Sequence, residues 1–138
     1  MITITDTIAK LSNFIALSEE KAKEQCKEHG LTETQMHYLE KIADLDNPTV
    51  TELSRELRLS KPTVTVTVDR LVEKGFVDRV RSDRDRRSAH LHLTERGAEL
   101  NATHYIAHIA IAKHIARKVT NGELEEFIRI VGKIVDQH

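Results

Sequence analysis

Hydrophobic positions along this 138-residue chain recur mostly at helical spacing. Ile4, Ile8, Leu11 and Ile15 open the series, Thr5 or Asp6 can cap it, and the pattern predicts a helix over 4–28 that stops before Gly30. After Leu17 this helix turns very polar (SEEKAKEQCKEH), so its second half cannot be fully buried in a monomer core. Thr32 and Gln35 form a capping-box pair opening a second helix, which buries Met36, Leu39 and Ile42 or Ala43 and is broken by Asp44–Pro48. Thr51–Leu57 is a short helical pattern with Leu53 and Leu57 inward, followed by the polar turn Arg58–Ser60. Beyond it, SKPTVTVTVDRLVEKG alternates like a strand, and threonine and valine are poor helix formers. Ser60 as N-cap, Pro62 in the first turn, the later Leu71-Val72 pair and Gly75 as a stop nevertheless agree on a helix. Its apolar stripe is Val64, Val68, Leu71 and Val72; Pro62, Thr63, Val66 and Arg70 lie opposite, flanked by Lys61, Thr67 and Lys74. Two alternating segments follow, Phe76–Arg81 with Phe76, Val77 and Val80 inward, and Ala89–Thr94 with Leu91 and Leu93 on one face and His90 and His92 on the other. Glu95–Lys118 reads as a long helix closed by Asn121-Gly122. Glu123–Gln137 reads as a last helix striped by Leu124, Phe127, Ile128, Val131, Ile134 and Val135.

Two short helices joined by a tight turn are a helix-turn-helix unit, and the hairpin after it is a wing. Short hydroxyl and methyl groups on the front of the second helix let a backbone approach the DNA major groove, where threonine methyls can touch thymine and cations meet phosphate. Lys61, Pro62, Thr63, Thr65, Val66, Thr67 and Arg70 are the candidate groove residues. The hairpin tip Ser82–Ser88 holds Arg84, Arg86 and Arg87. Arg84 and Arg86 suit a narrow minor groove, and Arg87 beside Asp85 can also serve as an internal ion pair that shapes the hairpin.

The stretch VTELSRELRLSKPTVTVTVDRLVEKGFVDRVRSDRDRRSAHLHLTERG resembles the winged helix-turn-helix core of the multiple-antibiotic-resistance regulator (MarR) family. The most specific part is Asp83-Arg84-Asp85-Arg86-Arg87 followed by the LTERG that opens the next helix. The resemblance covers about a third of the chain, and the flanking helices fit the family's length and order. It implies a mainly α fold with a small β-wing, in a single domain over 1–138: a winged core over about 32–94, with dimerisation helices over about 4–28 and 95–137.

Charge sharpens this picture. The chain carries 21 basic and 22 acidic residues, but 51–94 holds ten Lys/Arg against seven Asp/Glu, leaving eleven against fifteen elsewhere. The winged segment therefore points at DNA, and a net +3 is small enough that two copies acting together are expected. The small winged core also cannot cover the stripes of the first and last helices together with Ile106, Ile109, Ile111 and Ile115. Packing those helices between two chains solves the burial problem and presents two reading helices to one palindromic site. No apolar run reaches membrane-spanning length, no signal peptide pattern opens the chain, and one cysteine excludes an internal disulfide framework. A cytoplasmic protein is the simplest expectation.

There is no glycine-rich phosphate loop, no Cys-x-x-Cys pair and no nucleophile elbow, so no catalysis is expected. The expected function is a sequence-specific DNA-binding transcriptional regulator, a ligand- or metal-responsive repressor acting as a homodimer on double-stranded DNA. The alternative is a winged-helix protein-interaction module, which would not require the arginine-rich tip.

Among the eight histidines, His104 and His108 are four apart on the long helix and can point at one ion. His37 on the second helix and a carboxylate from Glu19, Glu20 or Glu24, with Glu24 the choice, would complete a tetrahedral Zn2+ site. The arrangement resembles the zinc-sensing branch of the family, although Met36 and Thr103 stand where that branch has acidic neighbours, which argues against a second metal position. The fatty-acid-synthesis regulators are similar in another way, through Met36-His37 and the strand HLHLT, and their effector is an acyl chain on a carrier protein. Interface histidines with no ligand are the third reading, and all three stay open. Cys26 sits in a Lys/Glu-rich stretch and reads as inert more readily than as a thiol sensor.

Overall fold

The structure is a computed structural model describing residues 1–81 and 88–136. Its elements are α1 (Ile4–Ser18), α2 (Glu20–Glu28), α3 (Glu33–Asp44), α4 (Val50–Leu57), α5 (Lys61–Glu73), β1 (Val77–Arg81), β2 (Ala89–Leu93), α6 (Glu95–Lys118) and α7 (Asn121–Val135). The chain forms two compact units, one of residues 21–104 and one of residues 1–20 with 105–138.

In the winged unit, capping sets the boundaries. Thr32 Oγ1 accepts from Gln35 N–H at 3.0 Å, and Gln35 Oε1 accepts from Thr32 N–H at 3.2 Å, the expected capping box. The turn after α3 puts Asp46 (φ 53) and Asn47 (φ 62) in the left-handed region, and Thr49 then caps α4. Gly75 (φ 82) ends α5: Phe76 N–H donates to Leu71 O and Gly75 N–H to Val72 O, both at 3.0 Å, the paired bonds of a Schellman motif. β1 and β2 run antiparallel, with Val77 opposite Leu93 and Arg79 opposite Leu91. Leu91 N–H also donates to Pro48 O at 2.8 Å, so the α3–α4 turn docks on the outer edge of β2. The core collects Leu39, Ile42, Leu53, Val64, Val68, Leu71, Phe76, Val77 and Leu91, all fully buried. Each such side chain contributes about 1.5–3 kcal/mol relative to exposure.

One open alternative in this unit is resolved and two details differ from expectation. Ile42 is buried and Ala43 exposed, which settles that pair. Val80 is exposed rather than inward: Val77 already takes the core side, and three residues along a pleat the side chain points the other way. Lys74 does not flank the groove-facing side. Its Nζ donates to Gly30 O and, at 2.9 Å, to Gln35 Oε1, fastening the end of α5 to the α2–α3 turn.

In the terminal-helix unit, α1 and α7 contain no buried residue. Here the structure corrects three expectations. The helix foreseen over 4–28 is interrupted at Glu19, just after Ser18 turns its hydroxyl back onto Phe14 O at 2.8 Å, a bond that competes with helix continuation. The cap of α1 is Thr3 rather than Thr5 or Asp6; Asp6 is its box partner, accepting from Thr3 N–H at 3.2 Å. Asn121-Gly122 opens α7 instead of closing α6, because Thr120 and Glu123 form another capping box at 2.9 and 3.2 Å. The rings of Phe14 and His114 pack with centroids 5.1 Å apart.

Candidate nucleic-acid interface

The α4–α5 connection begins with a left-handed Arg58 (φ 56) and closes through Leu59 N–H donating to Ser54 O at 3.1 Å. Ser60 then caps α5: its Oγ accepts from Thr63 N–H at 3.3 Å and lies 2.7 Å from Thr63 Oγ1. Pro62 sits in the first turn, which holds no acidic residue, so the positive end of the helix is uncompensated by a carboxylate of its own turn.

With Val64, Val68 and Leu71 fully buried, the opposite face is fixed. Lys61, Pro62, Thr63, Val66 and Arg70 are exposed on it, while Thr65 and Thr67 flank it half-buried. The described residues thus carry every groove candidate of the helix on its open side or rim. Arg84, Arg86 and Arg87 lie outside the described residues. Arg81, at the end of β1, is exposed.

One element of this face was not foreseen. Asp69, beside Arg70, accepts from Arg79 of β1 at 2.5 Å, which ties α5 to the root of the hairpin and screens its carboxylate. The alternation that exposes Arg79 was visible, but its partner eight residues before the strand was not. Both groups are substantially exposed, so the pair is worth at most about 1 kcal/mol of stability.

The candidate metal ligands fall in both units. In the winged unit, Glu40 draws two imidazoles onto one carboxylate: His104 Nε2 lies 3.0 Å from Oε1 and His37 Nδ1 3.9 Å from Oε2. Glu40 was missed, although its place three residues after His37 on one helix face is a readable signal. In the terminal-helix unit, His108 Nε2 lies 3.8 Å from Glu19 Oε2, the first of the three glutamates considered. Glu24 is exposed on α2. Imidazole and carboxylate are donor types that zinc accepts, and His37, His104 and Glu40 supply both. Cys26 is buried, and burial together with the nearby Glu40 charge pushes its thiol pKa up, the opposite of an activated cysteine.

A MarR family model matches residues 31–89, the span from the α2–α3 turn to the start of β2. The chain is similar to the crystal structure of Streptococcus pneumoniae FabT in complex with DNA, with a TM-score of 0.77 and 26% identity over 95% of this chain and 92% of that one. The segment 31–89 is thus similar to the MarR family. The chain is also similar to the transcriptional repressor MprA of Escherichia coli K12, 35% identical over 82 residues, or 58% of this chain and 47% of MprA. An uncharacterized HTH-type transcriptional regulator of Bacillus subtilis, YkoM, is 32% identical over 62% of this chain and 55% of its own length. The chain therefore matches about half the length of these curated relatives. A mutant of Staphylococcus aureus MepR bound to an oligodeoxyribonucleotide shares the fold, with a TM-score of 0.66 at 19% identity over 98% of this chain and 97% of that one. The expected mainly α fold with a small antiparallel wing is the one observed. Among the described residues, no helix is long and apolar enough to cross a membrane.

Proposed function

We propose that this chain is a MarR-family transcriptional regulator that binds a palindromic DNA duplex as a homodimer. The observation that carries the reading is the division of α5 into a fully buried face and an open face of Lys61, Pro62, Thr63, Val66 and Arg70, presented by a helix-turn-helix. The likeness to a relative crystallised with DNA supports it. Phosphate contacts from Lys61, Arg70 and the wing arginines Arg84, Arg86 and Arg87 fix the register, and the short side chains read the groove. Selection from a random-sequence duplex pool tests this. The expected product is an inverted repeat, and affinity should fall linearly in log–log terms with salt as counterions are released. Enrichment of no sequence, or salt-independent binding, would leave a winged protein-interaction module as the better description.

A divalent metal effector is the second part of the proposal, favoured by the two imidazoles that Glu40 gathers. His37 and His104, with Glu40 or Glu24, would hold zinc. The ion would supply a cross-link between helices, and by linkage DNA and metal would raise each other's affinity by the same factor if bound metal favours the DNA-binding form. Chelator competition with wild type and His104→Ala measures it. Tighter zinc binding by wild type and zinc-dependent operator affinity are expected; equal, weak binding by both proteins leaves the acyl-effector and interface-histidine readings.

A further inference from the structure

The front of α5 displays apolar groups that the fold does not use. Val66 stands 52% exposed while Val64 and Val68 on either side of it are fully buried. Valine and threonine are poorer helix formers than the alanine, lysine, glutamate or glutamine that suit a solvent-facing position. Placing Thr63 and Val66 outward therefore weakens the helix without any return from the core. A contact outside the chain explains the choice.

The chemistry of that contact is narrow. α5 contains neither asparagine nor glutamine, the residues that pair with adenine N6 and N7. Its exposed cations, Lys61 and Arg70, stand at either side of the centre rather than in it. Asp69, whose carboxylate could accept from cytosine N4, is engaged by Arg79. The Thr63 hydroxyl is committed to Ser60 Oγ at 2.7 Å, which leaves its methyl as the group for the front. What remains at the centre of the face is apolar: the Pro62 ring, the Thr63 methyl and the two Val66 methyls. One apolar group is displayed on base edges in the major groove, the 5-methyl of thymine.

We infer that α5 reads thymine through its 5-methyl group, with Val66 as the specificity-determining residue and the Thr63 methyl beside it. The inference rests on the DNA-binding reading above. The base pairs facing the middle of the helix are then A·T pairs, selected by apolar contact and not by hydrogen bonds to adenine.

The test uses the intact chain and the tightest duplex that it selects from a random-sequence pool. Each thymine is replaced in turn by 2′-deoxyuridine, which removes the methyl and leaves every hydrogen-bonding group in place. One or two replacements in each half-site should weaken binding about fourfold apiece, the factor for one buried methyl-sized group. Val66→Ala, an exposed change to a better helix former, should lose a similar factor on the thymine duplex and become indifferent to the decisive replacement. Thr63→Ser keeps the hydroxyl at the cap and drops the methyl, so it should behave likewise at a neighbouring base. Specific binding that no deoxyuridine alters overturns methyl readout while the DNA-binding reading stands. Sensitivity that persists undiminished in Val66→Ala overturns the role of Val66. A pool that yields no enriched duplex overturns both readings together.

Discussion

Gly97 shows how one residue can hold the winged unit together by what it lacks. A Cβ built there would stand 2.2 Å from Phe76 O and 3.2 Å from Phe76 C, backbone atoms just past the end of α5. Neither can give way easily: Phe76 is fully buried, its carbonyl accepts Thr94 N–H at 3.0 Å, and Arg96 lies over its ring at 4.5 Å. Gly97→Ala should therefore destabilise by about 1–3 kcal/mol and lower the midpoint of thermal unfolding by roughly 3–10 °C, measured by calorimetry. An unchanged midpoint would mean that α6 can shift away at no cost. The sequence offered LTERG as a helix opening, but nothing local says that its glycine meets a backbone 21 residues earlier. The same limit hid Asp69–Arg79 and the Lys74 bonds to Gly30 and Gln35, which are all side-chain contacts across the chain. Ser60, Pro62 and Gly75 were readable because a cap, a first-turn proline and a left-handed stop act within a few residues.

At the scale of the element, three helices begin with capping boxes that differ in one respect. Asp6 closes the box of α1 and Glu123 that of α7, whereas the box of α3 is closed by the neutral Gln35. Hydrogen bonds from Thr3, chiefly its hydroxyl, lower the Asp6 pKa, and bonds from Thr120, chiefly its backbone N–H, lower that of Glu123. A lowered carboxyl pKa stabilises the folded helix end above the unfolded value, and that stabilisation is lost as pH falls through the folded one. Amide exchange in the first turns of α1 and α7 should thus accelerate as pH drops below about 4, beyond the intrinsic pH trend, while the first turn of α3 keeps its protection. Equal loss in all three turns would show global acid unfolding instead. Thr32–Gln35 was legible as a box, but Thr3–Asp6 was misplaced by two or three residues and Thr120–Glu123 was overlooked behind Asn121-Gly122. Asn-Gly is a strong turn signal, and here the cap next to it prevails. The break at Glu19 was missed for a similar reason, since the polar run after Leu17 is rich in good helix formers while a serine bonding back onto Phe14 O leaves no mark in the pattern.

For the whole molecule the decisive fact is the terminal-helix unit, whose apolar stripe the single chain leaves open. Ile4, Ile8, Ile128, Ile134 and Val135 are all more than half exposed, and Val131 is 39% exposed on the same face of α7 as Ile128 and Ile134. Apolar surface on this scale marks an interface, and the homodimer proposed above would cover it with a second copy while two-fold symmetry turned one α5 into two. Pattern alone disclosed the stripe, because periodicity records which face is apolar; it could not record what covers that face. The proposal predicts a coupled loss. Val131→Glu places a carboxylate at the centre of the stripe, where pairing two chains would bury it without a partner, a cost of several kcal/mol. In the isolated chain the same carboxylate stays in water, so the fold itself should survive with unchanged far-UV circular dichroism. Sedimentation should show wild type as a dimer at micromolar concentration and the variant as a monomer. Binding to the full palindrome should then drop by about a hundredfold or more, because the second half-site no longer benefits from its tether to the first, while binding to an isolated half-site should change little. A wild type that sediments as a monomer, or a monomeric variant that grips the palindrome as tightly as before, would separate the terminal helices from DNA recognition.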